Sequence, residues 1–454
     1  MSIAQRSLEL PRPGHAAAIA AVLGAMALAV LDAAIANVAL PDIARSLHVA
    51  PALSVWIITA YQAALVMALL PCAAVGESIG QRRVFTAGVA LFTAASVLCA
   101  LAPSLSWLVA ARFLQGIGGA AVMALGIALL RVVVAPRQLG AAIGWNALVV
   151  ALSSAAGPTI GAAILSSAGW PWLFALNLPL GAIVLLGTRA LPDVSGTRRR
   201  LDRLSVGLHA SCFAALVVGA ESLLATPALA IALLAAAAIG LVALVRREMP
   251  KAAPLIPLDL LRASSIRMSV IASICCFAGI TLGLLSLPFY LQHSFGQGTW
   301  TTGLYMTAWP LAVAAAAPLA GRLADRMSTA RLCAAGAASL AAGLAAASLW
   351  PLGERPLALI PLTIVCGVGF GLFQVPNNRN MFLAAPLERS GAAGGMQGTA
   401  RLAGQTAGSV MTGLLFSTLS MDAAPRLGLG IGAVLASAAA VASVLRTNTE
   451  ARTC

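Results

Sequence analysis

Long apolar runs dominate this chain of 454 residues and restrict its fold more than any other feature. About fourteen runs of roughly twenty residues are long enough to cross the hydrocarbon core of a bilayer as helices. Lipid offers no partner to a free backbone polar group, and the run lengths exclude barrel strands. The sequence therefore predicts an all-α polytopic membrane protein with fourteen transmembrane helices, near residues 16–40, 53–75, 84–102, 107–130, 139–164, 171–191, 205–224, 226–246, 266–291, 301–324, 330–350, 356–376, 393–418 and 425–445.

The basic residues are concentrated on one set of alternating loops and predict the orientation. Of the 28 Lys and Arg residues, Arg45, Arg355 and Arg426 lie in the opposite loops, Arg112 and Arg401 lie within spans, and the remaining 23 lie on the N-terminal side. The positive-inside rule then predicts that both termini are cytoplasmic. A bacterial-type inner membrane is the expected location. The net charge of +14 is a topology signal, because no basic stripe is long enough to follow a nucleic-acid backbone.

Enzymatic and cofactor sites have no signature in the sequence. Seven of the eight cysteines lie in apolar runs and the four histidines do not cluster, so neither disulfides nor metal sites are expected. The sequence contains no G-x-x-x-x-G-K-[ST] loop for ATP, and no nucleophile–base pair or polar filter is recognisable. We therefore expect neither an enzyme nor a channel, and no cofactor.

A short internal repeat divides the chain into two halves. Gly76-Glu77-Ser78-Ile79-Gly80-Gln81-Arg82-Arg83 follows the second predicted span, and Gly321-Arg322-Leu323-Ala324-Asp325-Arg326 follows the tenth. The repeat predicts a six-helix half at 1–191, a linker with two extra spans at 192–265, and a second six-helix half with a short cytoplasmic tail at 266–454. Two related bundles around a midplane site are typical of secondary transporters.

Several motifs in order make the chain similar to the fourteen-helix drug–proton antiporters of the major facilitator superfamily, the EmrB/QacA type. The resemblance covers nearly the whole length. It implies proton-driven export by alternating access, without a cofactor. The motifs are Leu31-Asp32 with Asn37-Val38-Ala39-Leu40-Pro41, Trp56 with Tyr61, Arg112-Phe113-Leu114-Gln115-Gly116-Ile117-Gly118-Gly119, Gly157-Pro158-Thr159-Ile160-Gly161, Trp170-Pro171-Trp172-Leu173-Phe174 and Asn177-Leu178-Pro179-Leu180-Gly181.

Asp32 is the first functional candidate, because an acid deep in a span normally faces a cavity or a partner. Burial disfavours the ionised carboxylate, so we expect Asp32 to exchange protons and to attract cations. A structural acid locked to a neighbouring helix is the alternative. The resemblance ties Arg112 to proton coupling, whereas an Arg that snorkels to the headgroups is the alternative from the residues themselves. Asn37, Tyr61 and Gln115 complete the expected substrate cavity.

The two repeated turns are expected to act as latches of a cytoplasmic gate. Their acids pair with arginines or cap helix ends, and these contacts must break when the cytoplasmic side opens. Plain positively charged loops are the alternative for the individual arginines. The expected gate residues are Gly76, Glu77, Gly80, Arg82, Arg83, Gly321, Asp325 and Arg326.

Gly157, Pro158 and Gly161 form the antiporter motif that the resemblance implies for the fifth span. Proline removes an intrahelical hydrogen bond and the glycines allow a neighbouring helix to approach, which is expected to seal the external half of the cavity. Outside these motifs, Arg401 is expected to pack two helices and to snorkel, and Glu221 to be solvated. Pro376-Asn377-Asn378 receives no role.

These residues together predict a proton-coupled efflux antiporter for small amphipathic compounds. Lipophilic or quaternary-ammonium cations are favoured, because Asp32 is the clearest negative charge of the core. A proton-coupled exporter of an endogenous metabolite, siderophore or lipid is the alternative. The expected partners are the substrate, protons and the lipid bilayer, without nucleic acid, and the need for a periplasmic adaptor and an outer-membrane channel stays open.

Overall fold

A computed structural model of the protein describes residues 13–134, 139–193, 202–223, 226–249, 258–351, 356–384 and 390–450. Within these ranges the regular structure is entirely helical, which confirms the predicted all-α architecture. The helices are α1 (Pro13–Ser46), α2 (Pro51–Ser54), α3 (Trp56–Ile79), α4 (Gln81–Ala100), α5 (Leu105–Val133), α6 (Leu139–Ser167), α7 (Pro171–Ala175), α8 (Asn177–Gly187), α9 (Arg203–Glu221), α10 (Pro227–Glu248), α11 (Ser264–Phe289), α12 (Thr299–Ala324), α13 (Thr329–Ser348), α14 (Leu359–Leu383), α15 (Ser390–Thr418) and α16 (Ala423–Glu450).

Twelve helical segments of the described chain are long and apolar enough to cross a membrane. The short helices α2 and α7 continue into α3 and α8 and form single segments with them. Helix α9 is outside the twelve, because its apolar part covers only Leu204–Ala220. Helix α15 is outside them too, and it is rich in Gly, Ser, Thr and Gln. The count of fourteen spans therefore stays a prediction.

Helices α1 to α8 form one bundle, the N-half, and helices α11 to α16 form another, the C-half. Glycines allow the close helix approach inside each bundle. A side chain at Gly116 on α5 would collide with the backbone of Tyr61 on α3, and one at Gly336 on α13 would collide with the backbone of α14. Small residues serve this purpose in membranes, where helix association depends on packing.

The two halves meet along three helix pairs, α1 with α11, α3 with α15 and α6 with α12. Between α6 and α12, the hydroxyl oxygens of Thr159 and Thr307 are 2.6 Å apart. Helices α9 and α10 pack on each other, and α9 also covers the contact between α3 and α15. The expected division of the chain at residues 191 and 265 remains a prediction.

The halves are joined at one side of the membrane. We name the side at which α1 begins the proximal side and the opposite side the distal side. Near the distal end of α1, Asp42 accepts hydrogen bonds from Thr299 Oγ1 at 3.1 Å and from Gln292 Nε2 at 3.4 Å, both in the C-half. Leu40 and Phe289 pack in one apolar cluster beneath this link. The structure is therefore closed at its distal side.

Candidate functional site

A buried polar cluster lies inside the N-half and contains the acid in the middle of α1. Asp32 is 2% exposed and Arg112 on α5 is fully buried. Gln115 lies three residues after Arg112 on the same face of α5, so both side chains reach α1. Ser96 on α4 and Asn177 at the start of α8 complete the cluster. Four helices of one bundle therefore deliver polar groups to a single point within the membrane.

The carboxylate of Asp32 is fully engaged by this cluster. Its Oδ2 atom accepts a hydrogen bond from Arg112 Nη1 at 2.5 Å. Its Oδ1 atom accepts from Gln115 Nε2 at 2.9 Å and from Asn177 Nδ2 at 2.6 Å. Ser96 Oγ accepts from the same two amides, at 2.8 Å and 3.2 Å. The adjacent guanidinium supplies the counter-charge of this carboxylate.

Arg112 is held by more contacts than its ion pair. Its Nη1 atom also donates to Gln115 Oε1 at 2.5 Å, and its Nε atom donates to the carbonyl of Ile57 at 3.3 Å. The guanidinium lies 4.2 Å from the ring centre of Tyr61 and 5.6 Å from that of Phe174, within cation–π range. Its Nη2 atom is buried without a partner. The alternative in which Arg112 snorkels to the headgroups is therefore wrong.

The structure brings most of the predicted cavity residues together, but around Arg112 inside the N-half rather than in an open cavity. Asp32, Gln115 and Tyr61 all contact Arg112. Asn37 lies further along α1, half-buried and outside these contacts. Asp32, which was expected to face a cavity or a partner, is ion-paired with Arg112 and sealed within one bundle. The proton-coupling role of Asp32 and Arg112 stays a prediction.

Two members of the cluster escaped the sequence analysis. Asn177 was visible as part of a motif, but nothing in one sequence indicated that its amide binds Asp32. Ser96 had no signal, because a single serine in an apolar run usually bonds its own helix. It does so here, donating to the carbonyl of Phe92 at 2.8 Å, while its oxygen also accepts from the cluster.

A second polar group lies between the halves. Arg401 on α15 extends to α5, where its Nη2 atom is 3.8 Å from the sulfur of Met123. Its Nε atom is buried and has no hydrogen-bond partner in the part of the chain that the structure describes. Nearby, Ser409 Oγ donates to Gln62 Oε1 at 2.5 Å and links α15 to α3. The expectation that Arg401 snorkels is therefore wrong, because its side chain turns toward the opposite half.

The expected gate turns make their described contacts within their own halves. After α3, Gly80 has a φ of 113°, a conformation that favours glycine and allows the sharp turn into α4. Arg82 donates to the carbonyl of Arg189 at 3.2 Å, and Arg83 lies 3.6 Å from Asp193. In the C-half, Asp325 pairs with Arg379 at 2.5 Å.

The remaining gate residues lie at the same two turns. Gly76 packs against Leu125 on α5, Glu77 and Arg326 are exposed, and Gly321 faces open space. The latch role of these residues stays a prediction, since the proximal contacts described here do not cross between the halves.

The antiporter motif places α6 between both bundles. A side chain at Gly157 would collide with Ala34 on α1, and one at Gly161 would touch Ile35. On the other side, Gly303 of α12 lies against the carbonyl of Pro158. The motif therefore packs α6 tightly where the halves meet, as the sequence predicted for its glycines. Its role as a seal stays a prediction.

The C-half has a buried polar cluster of its own near the proximal ends of its helices. Arg446 on α16 is 1% exposed and donates to Ser269 Oγ at 2.7 Å. Asn377 on α14 donates to Ser273 Oγ at 2.8 Å and accepts from Arg446 at 3.4 Å. The segment Pro376-Asn377-Asn378, which had no assigned role, therefore ties α14 to α11 and α16. The side chain of Glu221 lies outside the described residues.

Comparison with known proteins gives consistent matches over the whole chain. A sequence profile of the Major Facilitator Superfamily matches residues 22–409. The uncharacterized transporter YebQ of Escherichia coli K12 is 43% identical over 445 residues, which cover 96% of each chain. The multidrug resistance protein Stp of Mycobacterium tuberculosis H37Rv is 33% identical over 87% of this chain and 75% of its own. The riboflavin transporter RibZ of Clostridioides difficile is 29% identical over 82% of each.

Proposed function

Since this chain belongs to the major facilitator superfamily and is a membrane transporter rather than an enzyme, we propose that it is a proton-coupled exporter of small amphipathic compounds. The observation that carries this proposal is the Asp32–Arg112 ion pair buried within the membrane. Ionisable residues are costly to bury in a membrane and are therefore rare there. Where they occur, they typically mark proton or substrate pathways. The fourteen-helix type, cytoplasmic termini and an inner-membrane location belong to the same proposal.

A proton on Asp32 changes the state of the whole N-half cluster. Protonation removes the charge that holds Arg112 Nη1, and the guanidinium then requires another partner. Gln115 Oε1 already accepts from the same nitrogen, and the ring of Tyr61 lies beside the guanidinium. Tyr61 belongs to an apolar cluster that includes Leu402 of the C-half. A movement of the Arg112 side chain would therefore shift Tyr61 and the contact between the two halves.

Alternating access requires the distal contact between the halves to open. Asp42 joins the N-half to Thr299 and Gln292 of the C-half. The bound substrate leaves toward the distal side when this contact breaks and the proximal faces of the two halves approach. The halves then rock around the helix pairs α3–α15 and α6–α12, in the manner of two-bundle transporters.

The substrate class is proposed from the relatives and from the charge of the site. Stp is named as a multidrug resistance protein, which favours amphipathic drugs. Lipophilic cations were expected because Asp32 is the negative charge of the core. In the structure Arg112 neutralises that charge. A cationic substrate can therefore bind the carboxylate only after the ion pair has opened.

An exporter of an endogenous metabolite is the second candidate. RibZ is named as a riboflavin transporter and covers most of the chain. This alternative predicts proton-coupled flux of one metabolite, without protection against a broad set of drugs.

The test is transport of fluorescent amphipathic dyes into everted membrane vesicles energised with a proton gradient. A panel of one cationic, one neutral and one anionic dye covers the three charge classes. Wild type is expected to accumulate at least one dye until an uncoupler is added, and Asp32→Asn is expected to lose this uptake. Asp422→Asn is the matched control, since Asp422 is an exposed acid outside the cluster.

Two outcomes would contradict parts of the proposal. Unchanged uncoupler-sensitive uptake in Asp32→Asn would place proton coupling at other residues. Failure of wild type to transport any dye, at normal protein levels in the membrane, would reject drug export and favour the metabolite exporter.

A further inference from the structure

The charges in the middle of the membrane do not balance. Arg401 lies eleven residues after the start of α15 and within one turn of the midpoint of this 29-residue helix, which places it near the centre of a core about 30 Å thick in the proposed fourteen-helix arrangement. Arg112 is the other central cation. Among the described side chains, Asp32 is the only central acid; the others lie at helix ends or in loops. Asp32 is already ion-paired with Arg112. Arg401 therefore has no acidic side chain as a counter-charge among the described residues near the membrane centre.

The side chain of Arg401 extends from the C-half toward α5 of the N-half. Its Nη2 atom reaches Met123 on α5, in the opposite half. A turn away on the same face of α5 is Gly119, where a Cβ would lie 2.9 Å from the hydroxyl oxygen of Tyr61. Among the residues that the structure describes, that hydroxyl has no hydrogen-bond partner. The guanidinium and the phenol therefore flank the same stretch of α5.

We propose that Arg401 binds an anionic group of the transported substrate, so that the site between the halves accepts amphipathic weak acids such as aromatic carboxylates. The inference deepens the proposed transport function and rests on it. An intramembrane arginine without a counter-ion is costly, and a substrate anion supplies the missing charge. Arg401 as a whole residue is half-buried, unlike the fully buried Arg112.

The surroundings of Arg401 suit an amphipathic anion. The free hydroxyl of Tyr61 is a second donor for a carboxylate oxygen. Met123 on α5 provides apolar surface against the guanidinium, and Leu402 on α15 packs with Tyr61 in one apolar cluster. The thioether of Met123 adapts to ring systems of different shape. A carboxylate on an aromatic or aliphatic body matches these features, whereas a quaternary ammonium group would meet a like charge.

The test compares three probes that share one aromatic body and differ in charge: 9-anthracenecarboxylate, 9-anthracenemethanol and 9-(aminomethyl)anthracene. Their binding to the full chain is measured by fluorescence titration in nanodiscs of phosphatidylcholine, which carry no anionic headgroup to occupy Arg401. Wild type is expected to bind the carboxylate on the order of tenfold to hundredfold more tightly than the alcohol, the range for a hydrogen bond to a charged group.

Three variants separate charge from packing. Arg401→Gln is expected to bind the carboxylate and the alcohol equally, while Arg401→Lys keeps most of the preference because it keeps the charge. Arg131→Gln, at an exposed arginine in the last turn of α5, is the matched control and is expected to behave as wild type. Thermal unfolding and gel filtration confirm that each variant is folded.

The proposal is overturned if folded wild type binds the alcohol or the amine as tightly as the carboxylate, or binds no carboxylate. It is also overturned if Arg401→Gln keeps the preference for the carboxylate. Either result concerns only the anion site. The proposed transport function is tested separately by dye uptake into everted vesicles. Conversely, a carboxylate preference without any proton-coupled transport would reject the transport proposal and keep the anion site.

Discussion

Asp32 and Arg112 form a buried ion pair in which each charge offsets the cost of burying the other. Both are almost completely buried, and their charged atoms lie 2.5 Å apart. Removing one partner of a buried pair leaves an uncompensated charge, which typically costs about 3–5 kcal/mol. Replacing both removes the two charges together, so that neither is left uncompensated. The two effects separate the structural role of the pair from its role in transport.

We expect Arg112→Gln to lower the free energy of unfolding by about 3–5 kcal/mol, because Asp32 loses its counter-charge. The double variant Asp32→Asn with Arg112→Gln is expected to recover most of this loss, yet to lack uncoupler-sensitive transport. Chemical unfolding in detergent micelles measures the first effect and vesicle uptake the second. A double variant that transports like wild type would assign the pair a purely structural role.

At the scale of helices, the contact between α6 and α12 depends on the absence of a single methyl group. Gly303 lies against the backbone carbonyl of Pro158 and the side chain of Ala162. A Cβ atom at this position would overlap with a backbone oxygen, and α12 would have to move away from α6. Because the two helices belong to different halves, this movement would loosen the junction that the antiporter motif packs.

We therefore expect Gly303→Ala to lower the free energy of unfolding by about 1–3 kcal/mol, the usual cost of overpacking, and to reduce transport. Gly207→Ala on α9 is the matched control, since a Cβ there meets no atom within 4 Å. Alanine favours a helix over glycine by about 1 kcal/mol, so the control is expected to be neutral or slightly stabilising. Equal behaviour of the two variants in unfolding and uptake would contradict tight packing at this contact.

The sequence could predict the helices and the packing glycines of this chain, but not which faces of the helices meet. Apolar run length decides that a segment is helical, and the Gly157–Gly161 spacing alone indicates close packing. The rotation of each helix leaves no such trace, because lipid-facing and buried positions are both apolar in a membrane. For this reason the pairing of Arg112 with Asp32, the bond from Asn177 and the orientation of Arg401 required the structure.

For the whole molecule, the proposed binding of an anion at Arg401 has a consequence for the electrical balance of the proposed transport cycle. Exchange of one cation for one proton moves no net charge. Exchange of one outward-moving anion for one inward-moving proton moves two charges in the same electrical direction. At about 2.3 kcal/mol per charge per 100 mV, the second cycle draws about 4.6 kcal/mol from a 100 mV membrane potential.

We expect 9-anthracenecarboxylate to enter proteoliposomes against its gradient when valinomycin and potassium impose an inside-positive potential with equal pH on both sides. Uptake is measured relative to liposomes that contain Arg401→Gln, which corrects for passive permeation of the weak acid. 9-(Aminomethyl)anthracene is expected to show no response to the same potential. Carboxylate uptake that is indifferent to the potential would contradict an electrogenic cycle.

The proposed anion site at Arg401 on α15 thus has a consequence for the conditions under which the proposed export continues. An electroneutral exchanger stops when the pH on the two sides of the membrane becomes equal, whatever the voltage. A carrier whose fixed positive charge selects anions retains the voltage as a driving force, and a cell interior that is electrically negative expels its substrate without any acidity outside. One guanidinium near the membrane centre would therefore make this protein a voltage-powered exporter in neutral or alkaline surroundings.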